Sequence, residues 1–412
     1  MENVEKLGPG KKISFDVPKN VKTPVTVKKA VSVEGFVFLV AFLGLFCFLG
    51  VQMGASNMLN TMMNTAYQLL MDTVFYIMAI AVLAGAVSGL FSEFGVIAML
   101  NKLLAPLMKP VYGLPGASAI GVVTTYLSDN PAILALAEDK NFKRYFKKYQ
   151  LPALTNIGTS FGMGLIITTF MMGIKPLTGA GFVLPAVIGN VGAIVGSIVS
   201  TRLMLRQTAK VYGREQWAMD SSEIGNGAEV SADYRVVHEG SAASRFIDAL
   251  LTGGKNGVTM GVSIIPGVLI ICTLVMMLTN GAGDGGVYTG AAYEGVAVLP
   301  WIGAKLKFIL MPLFGFTSPE AISIPITALG AAGAAIGLAP NMVNAGLIGG
   351  NDIAVCTAMC MCWSGYLSTH MAMMDSLKCR KLTGKAILCH TIGGVCAGVA
   401  ANWLYKLVML IL

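Results

Sequence analysis

The feature of this sequence with the most chemical potential is an acid beside an amide, set inside an apolar stretch. Ser128-Asp129-Asn130-Pro131 interrupts the run 116–137. An ionisable group at mid-membrane depth is costly and is retained where it handles an ion, a proton or a polar solute. A half-helix beginning at Pro131 would turn its partly positive N-terminus toward the same spot. The same four residues also read as a helix cap. A second polar group, Asn156, Thr159 and Ser160, lies in TNIGTSFGMG. It offers amide and hydroxyl oxygens to a solute or Na+, or else a small-residue packing face. A third group is Asn341, Asn344, Asn351 and Asp352. The first two share a helical face, and the last two also read as a cap. Glu320, in Ser318-Pro319-Glu320, reads as a ligand or proton carrier, or as the first-turn acid of a capped helix.

Other chemistries have weaker footing. Cys356 and Cys360 share a helical face near Cys362, and thiolates suit soft metals, so a metal-ion permease is one alternative. Buried cysteines are also ordinary small hydrophobes, and no histidine stands at zinc spacing. Neither an HExxH motif nor a Gly-x-Ser-x-Gly elbow occurs, which argues against an enzyme. No cofactor is expected. A coupling ion, Na+ or H+, is.

Elements that hold such residues at depth must be membrane helices. Hydrophobic residues make up 55% of the 412 and charged residues 12%, with mean hydropathy +0.70. Soluble domains carry about 25% charge. The 49 glycines fit helices packed through small residues. A net charge of +8 comes from basic residues lying between apolar stretches. That reads as membrane topology and not as a nucleic-acid face. Stretches long enough to span are 35–54, 73–91, 152–172, 180–203, 258–279, 352–373 and 386–411. The stretches 116–137 and 318–348 are broken by Gly, Pro or Asn.

Charge placement sorts these. Lysines 6, 11, 12, 19, 22, 28 and 29 precede the first span, which puts the N-terminus (1–34) in the cytoplasm and leaves 35–54 as an uncleaved helix. The basic runs at 140–148 and 204–257 share the cytoplasmic side only if 116–137 enters and returns. The loop 280–300 has no Lys or Arg and suits the outside. Stretch 318–348 must then be a hairpin entering from outside, since Lys378, Arg380, Lys381 and Lys385 follow the next span.

An internal repeat agrees. At an offset of 202, Pro110 matches Pro312, Gly113 matches Gly315, Ala119-Ile120 matches Ala321-Ile322 and Thr125 matches Thr327. Inverted repeats with broken elements near the midplane mark secondary transporters. In GLFSEFGVIAMLNKLLAPLMKPVYGLPGASA and WIGAKLKFILMPLFGFTSPEA the chain resembles the gate-domain ("nucleoside recognition") family. That family includes spore maturation proteins A and B, and its domain recurs in ferrous iron and concentrative nucleoside transporters. The resemblance covers roughly 73–203 and 258–373. It implies two inverted halves, each with a re-entrant hairpin. In concentrative nucleoside transporters the first hairpin tip carries a Gly-Gln-Thr-Glu type motif; here Ser128-Asp129-Asn130 stands in that place. No P-loop occurs, so the iron transporters' G domain is absent from this chain.

The expectation is an all-α integral membrane protein of two inverted-topology repeats. Gate repeat 1 covers 55–203 with hairpin 116–137, and gate repeat 2 covers 258–411 with hairpin 318–348, with the cytoplasmic loop 204–257 between them. The expected function is ion-coupled transport of a small polar solute, nucleoside-like as one option, across the cell (inner) membrane. The alternative is a non-transporting scaffold of the spore-maturation type. Expected partners are the solute and the lipid bilayer, with a homo-oligomer compatible and nucleic acid excluded.

Overall fold

The structure, a computed structural model, describes residues 31–128, 133, 140–143, 145–218 and 237–412. Among these, helix is the regular element throughout, and six helices are long and apolar enough to cross a membrane. Contacts divide the chain after Phe48. Helix α1 (Val33–Met53) bears an aromatic ridge, Phe38–Phe42–Phe46, with ring centroids 5.8 and 4.7 Å apart. The remaining elements belong to the second unit, Leu49–Leu412.

Its helices lie in two runs, 55–212 and 242–411. The first half begins with α2 (Ala55–Gln68), a π-helical turn at Leu69–Val74 and α3 (Phe75–Glu93). Then come α4 (Val96–Leu107), the half-length α5 (Ser118–Leu127), α6 (Ala153–Thr159), α7 (Gly164–Gly173) and the long α8 (Val183–Tyr212). The second half begins with α9 (Ala242–Gly267), a π turn at Val268–Cys272 and α10 (Thr273–Thr279). It continues with α11 (Val298–Lys305), α12 (Lys307–Phe314), α13 (Ser323–Ala328), α14 (Ala332–Asn344), α15 (Gly350–Cys362), α16 (Tyr366–Ser376) and the long α17 (Thr383–Ile411). Two backbone details recur at an offset of 202. Gly113 and Gly315 are left-handed, with φ of 77° and 62°. Met163 and Gly365 are too, with φ of 55° and 63°, and each marks a break in a span.

Antiparallel pairs join the halves. On α3, Ala81, Gly85 and Gly89 recur every fourth residue and face Gly257, Gly253 and Ala249 of α9, so the two helices run in opposite directions. A Cβ on Gly85 would come within 2.3 Å of the Gly253 carbonyl oxygen, and one on Gly253 within 2.2 Å of that of Gly85. Only glycine permits backbones this close. Helices α8 and α17 make the corresponding antiparallel pair, with Gly196 against Gly393.

The long first spans differ from expectation. Residues 55–72, which lie between the expected spans 35–54 and 73–91 and lack Lys and Arg, are largely helical, and Ala55–Glu93 is one 39-residue run. At the standard rise this is about 58 Å, well beyond a hydrocarbon core. The excess is the polar end, and a loop covers it. Asn57 and Asn64, two turns apart, donate to the carbonyls of Tyr288 (2.9 Å) and Gly290 (2.8 Å). The loop 280–297 is held in turn by Glu294, which is 3% exposed. Its carboxylate accepts from the backbone of Thr289 and Gly290 and from the Thr289 hydroxyl at 2.7 Å.

Burial pushes the Glu294 carboxyl up, but these hydrogen bonds outweigh it and hold it below its ordinary range. A depressed folded-state pKa contributes stability above the unfolded value, and that stability is lost as pH falls through the folded one. The melting temperature should therefore hold at neutral pH and drop below the ordinary carboxylate range. Thermal melts of the parent chain and Glu294→Gln across acid pH check this: the variant should start lower and lose part of the acid dependence.

Candidate functional site

Two excursions build the site. The first leaves at Gly113 and returns at Gln150, where the Gln150 side-chain amide donates to the Gly113 carbonyl at 2.9 Å. The second leaves at Gly315 and returns at Asn351, whose amide donates to the carbonyls of Phe314 (2.8 Å) and Gly315 (2.9 Å). Each base is thus clasped by a side-chain amide onto a left-handed glycine turn. Between the clasps lie short arms: α5 in the first, and α13 and α14 in the second, turning at 329–331. A bend of 78° separates α12 from the arm Pro319–Ala328. Excursions that start and finish at one place are what re-entrant hairpins require.

Asp352, a candidate ligand in the sequence, is fully buried at this second clasp. It accepts from the Thr317 backbone (2.8 Å), the Thr317 hydroxyl (2.5 Å) and the Gly349 backbone (2.9 Å). With Asn351 it closes the base of the hairpin and caps α15, the capping role the sequence also allowed. Glu320 lies half-buried at the start of the first arm, near that base, and Asn344 is exposed at the end of α14.

Hairpin 1 straddles the break between α6 and α7. Tyr126 sits on Gly164, where a Cβ would be 2.2 Å from the ring, and Ile133 sits on Gly158. The Tyr126 hydroxyl donates to Asn190 Oδ1 at 2.9 Å, and Asn190 Nδ2 donates to Thr168 at 2.9 Å. Ser128 is exposed and its hydroxyl donates back to the Thr124 carbonyl at 2.7 Å. Asp129 and Asn130 lie outside the described residues.

Next to this hairpin is a cavity of about 410 Å³, between α5 and the α3–α9 glycine seam. Hydroxyls and an amide line it: Ser88, Ser92, Thr124, Ser128, Thr252 and Asn256. Glu93 and His238 close one end; Glu93 binds His238 at 2.8 Å and Arg245 at 3.1 Å. A second cavity, of about 280 Å³, lies beside hairpin 2 and is lined by Asn280, Tyr293, Ser323 and Asn341 among apolar groups. Ser128 and Asn341 are the sequence candidates that these cavities expose.

The remaining candidates are in a buried network. Asn156, Thr159 and Ser160 are fully buried. The Thr159 and Ser160 hydroxyls donate back to carbonyls of their own helix, Thr155 (2.7 Å) and Asn156 (2.8 Å). Asn156 Nδ2 donates to Ser200 Oγ (2.9 Å) and to the Ala386 carbonyl (3.0 Å), leaving Oδ1 without a protein partner. Ser200 Oγ meets His390 Nδ1 at 2.9 Å, and His390 Nε2 meets the Cys362 carbonyl, the last of α15 before its break. A carbonyl only accepts, so Nε2 carries the proton and Nδ1 accepts from Ser200. His370 likewise turns Nδ1 to the Tyr366 carbonyl at 2.5 Å. The two imidazole rings pack 4.7 Å apart as a fixed pair that pins the broken span to α17. Sequence reasoning missed His390 and Ser200, since a lone histidine or serine on an apolar helix has no spacing signal. It missed Ser88 and Asn256 as well, although glycines four apart do locate the seam beside them.

No known family profile and no curated protein matches this sequence. Solved structures do. The fold resembles that of CNTnw. A variant of CNTnw in an outward-facing state matches with a TM-score of 0.52 at 13% identity, covering 91% of this chain and 85% of that one. CNTnw in an inward-facing substrate-bound state gives 0.51 at 12%, covering 90% and 84%. A CNTnw variant in an intermediate state gives 0.52 at 13%, covering 90% and 85%. At such identities the likeness is one of fold. The metal alternative gains no support from geometry: among the described residues no group of three or more His, Cys, Asp or Glu side chains comes together, and Cys356, Cys360 and Cys362 are buried free thiols.

Proposed function

We propose that this chain is a secondary transporter of a small polar solute in the cell membrane. The observation that carries this reading is the pair of clasped hairpins, in a fold whose solved likenesses are CNTnw in outward-facing, intermediate and inward-facing substrate-bound states. CNTnw belongs with the concentrative nucleoside transporters, so a nucleoside-sized solute is the first to test. Antiparallel packing of α3 on α9 and of α8 on α17 is what two inverted halves would produce, and it supports the inverted reading. The basic segments also gather at one end. The Lys148 backbone donates to the Gln216 carbonyl at 2.8 Å, and Arg202 reaches the Val111 carbonyl at 2.9 Å. By the positive-inside rule this end, with the Glu93 end of α3, is cytoplasmic.

Solute then reaches hairpin 1 through the cavity beside it, whose hydroxyls and amide supply neutral donors and acceptors, with Glu93 and His238 at one end. Asp129 and Asn130 follow Ser128 in the chain at this point. They are the residues proposed to meet the solute or the coupling ion, Na+ or H+. Hairpins moving against the glycine seams give alternating access. A ligand-stabilisation screen on purified protein tests this. A bound solute should raise the melting temperature by mass action, and more so with Na+ or at a favoured pH. A flat response across nucleosides, other polar solutes, Na+ and pH would favour a scaffold.

A further inference from the structure

Helix α9 carries two unlike stripes side by side. Ile247, Leu251, Val258 and Val262 are exposed and apolar, the face a membrane helix turns to lipid. On the adjoining face lie Asp248, Thr252, Lys255 and Thr259, spaced four, three and four, and all four are exposed. Arg245, ten residues before Lys255, binds Glu93 at the end read as cytoplasmic. Ten residues of helix rise about 15 Å, half a hydrocarbon core, so Lys255 stands near the middle of the membrane. No ion pair of Lys255 occurs among the described residues. Cations at that depth face water or a polar partner and not lipid. The cavity beside hairpin 1 supplies the water. Thr252, one turn before Lys255, and Asn256, next after it, both line that cavity, opposite Ser88 of α3. Toward the cytoplasm the signs are mixed: Glu93 is held by Arg245 and His238, and the Asp248 carboxylate, two turns from Lys255, accepts from the Ser244 hydroxyl at 3.3 Å. Deeper along this face, among the described residues, the charge is that of Lys255.

We propose that the polar face of α9 is the wall of a water-filled vestibule continuous with this cavity, and that Lys255 sets its selectivity, admitting neutral and anionic solutes and turning away cations. An unpaired ammonium near mid-membrane raises the potential of the whole narrow passage, because little solvent screens it there. Amines, guanidinium compounds and metal ions are disfavoured, which also counts against the metal-ion permease. The inference deepens the transporter reading and rests on it for the membrane level of α9. Its test uses charged thiol reagents and no solute, so the two fail separately.

Thr252→Cys serves as reporter, and Ser88→Cys, from the facing wall, carries the measurement if the first does not fold. Each is reacted with the anionic sulfonatoethyl and the cationic trimethylammonioethyl methanethiosulfonate, in nanodiscs of zwitterionic phosphatidylcholine, with the parent chain's own labelling subtracted. The anion-to-cation rate ratio is divided by that of a small free thiol. Both reagents should react, and the corrected ratio should favour the anion. Lys255→Gln should lower the ratio by roughly tenfold, since the nearby charge speeds one reagent and slows the other. Lys255→Arg should keep it. Because Lys255 is exposed, neither change should move the melting temperature. A ratio that is the same in the Lys255→Gln background would overturn the selectivity role. Reporters that fold yet react with neither reagent would overturn the vestibule itself and leave this face covered by lipid or by a second copy of the chain.

Discussion

Gly253→Ala is expected to lower the melting temperature sharply, while Gly254→Ala beside it leaves the temperature unchanged or raises it. Both substitutions gain helix propensity, by about 1 kcal/mol. They differ in what the new methyl meets. At Gly253 it would lie 2.2 Å from the backbone oxygen of Gly85, which cannot turn away as a flexible side chain can. At Gly254 the nearest atom is a methyl of Val82 at 3.6 Å, an ordinary contact. Separating two helices along a seam forfeits packing at every turn, so the cost at Gly253 should reach roughly 1–3 kcal/mol or more. Gly253→Leu should prevent a monodisperse preparation. Thermal melts of the purified variants decide the matter. Equal behaviour of Gly253→Ala and Gly254→Ala would mean that the α3–α9 contact does not hold the halves together.

Asp129→Asn is expected to remove coupled uptake while leaving folding nearly intact. Asparagine is about as good a helix cap as aspartate, so a purely structural role would survive the change. A carboxylate that binds a cation or proton would not. Loss of a charged hydrogen bond corresponds to roughly tenfold to a hundredfold in affinity, and uptake should fall by at least that much. Ser128→Ala is the milder comparison, because the Ser128 hydroxyl is spent on the Thr124 carbonyl of its own helix. Its uptake should stay within a small factor of the parent.

Much of the fold was legible because membrane burial writes itself in composition and charge. The repeat at an offset of 202 pairs Gly113 with Gly315, and both are left-handed. Charge placement argues that the basic run at 140–148 shares a side with the loop after 203, and the Lys148 backbone meets the Gln216 carbonyl. The breaks at Met163 and Gly365 were not legible. Both spans stay apolar through the break, and a left-handed methionine has no sequence signature. The helix at 55–68 was hidden for the opposite reason: its asparagines are satisfied by a loop more than 220 residues away. Of the candidate residues, Ser128 and Asn341 border cavities. Asp352 and Asn351 have the same character and serve as clasps. Residue type cannot separate a ligand from a clasp, because both need a buried oxygen or amide with partners, and only the fold says who the partners are.

Gradient-driven uptake into proteoliposomes of purified protein examines the transporter reading itself. With an imposed Na+ or proton gradient, a panel of labelled nucleosides and other neutral polar solutes should include one that accumulates saturably above protein-free vesicles. That accumulation should vanish when the gradient is collapsed and in Asp129→Asn. No accumulation of any solute under either gradient, by protein that is monodisperse and melts cooperatively, would contradict transport and leave the scaffold reading in its place.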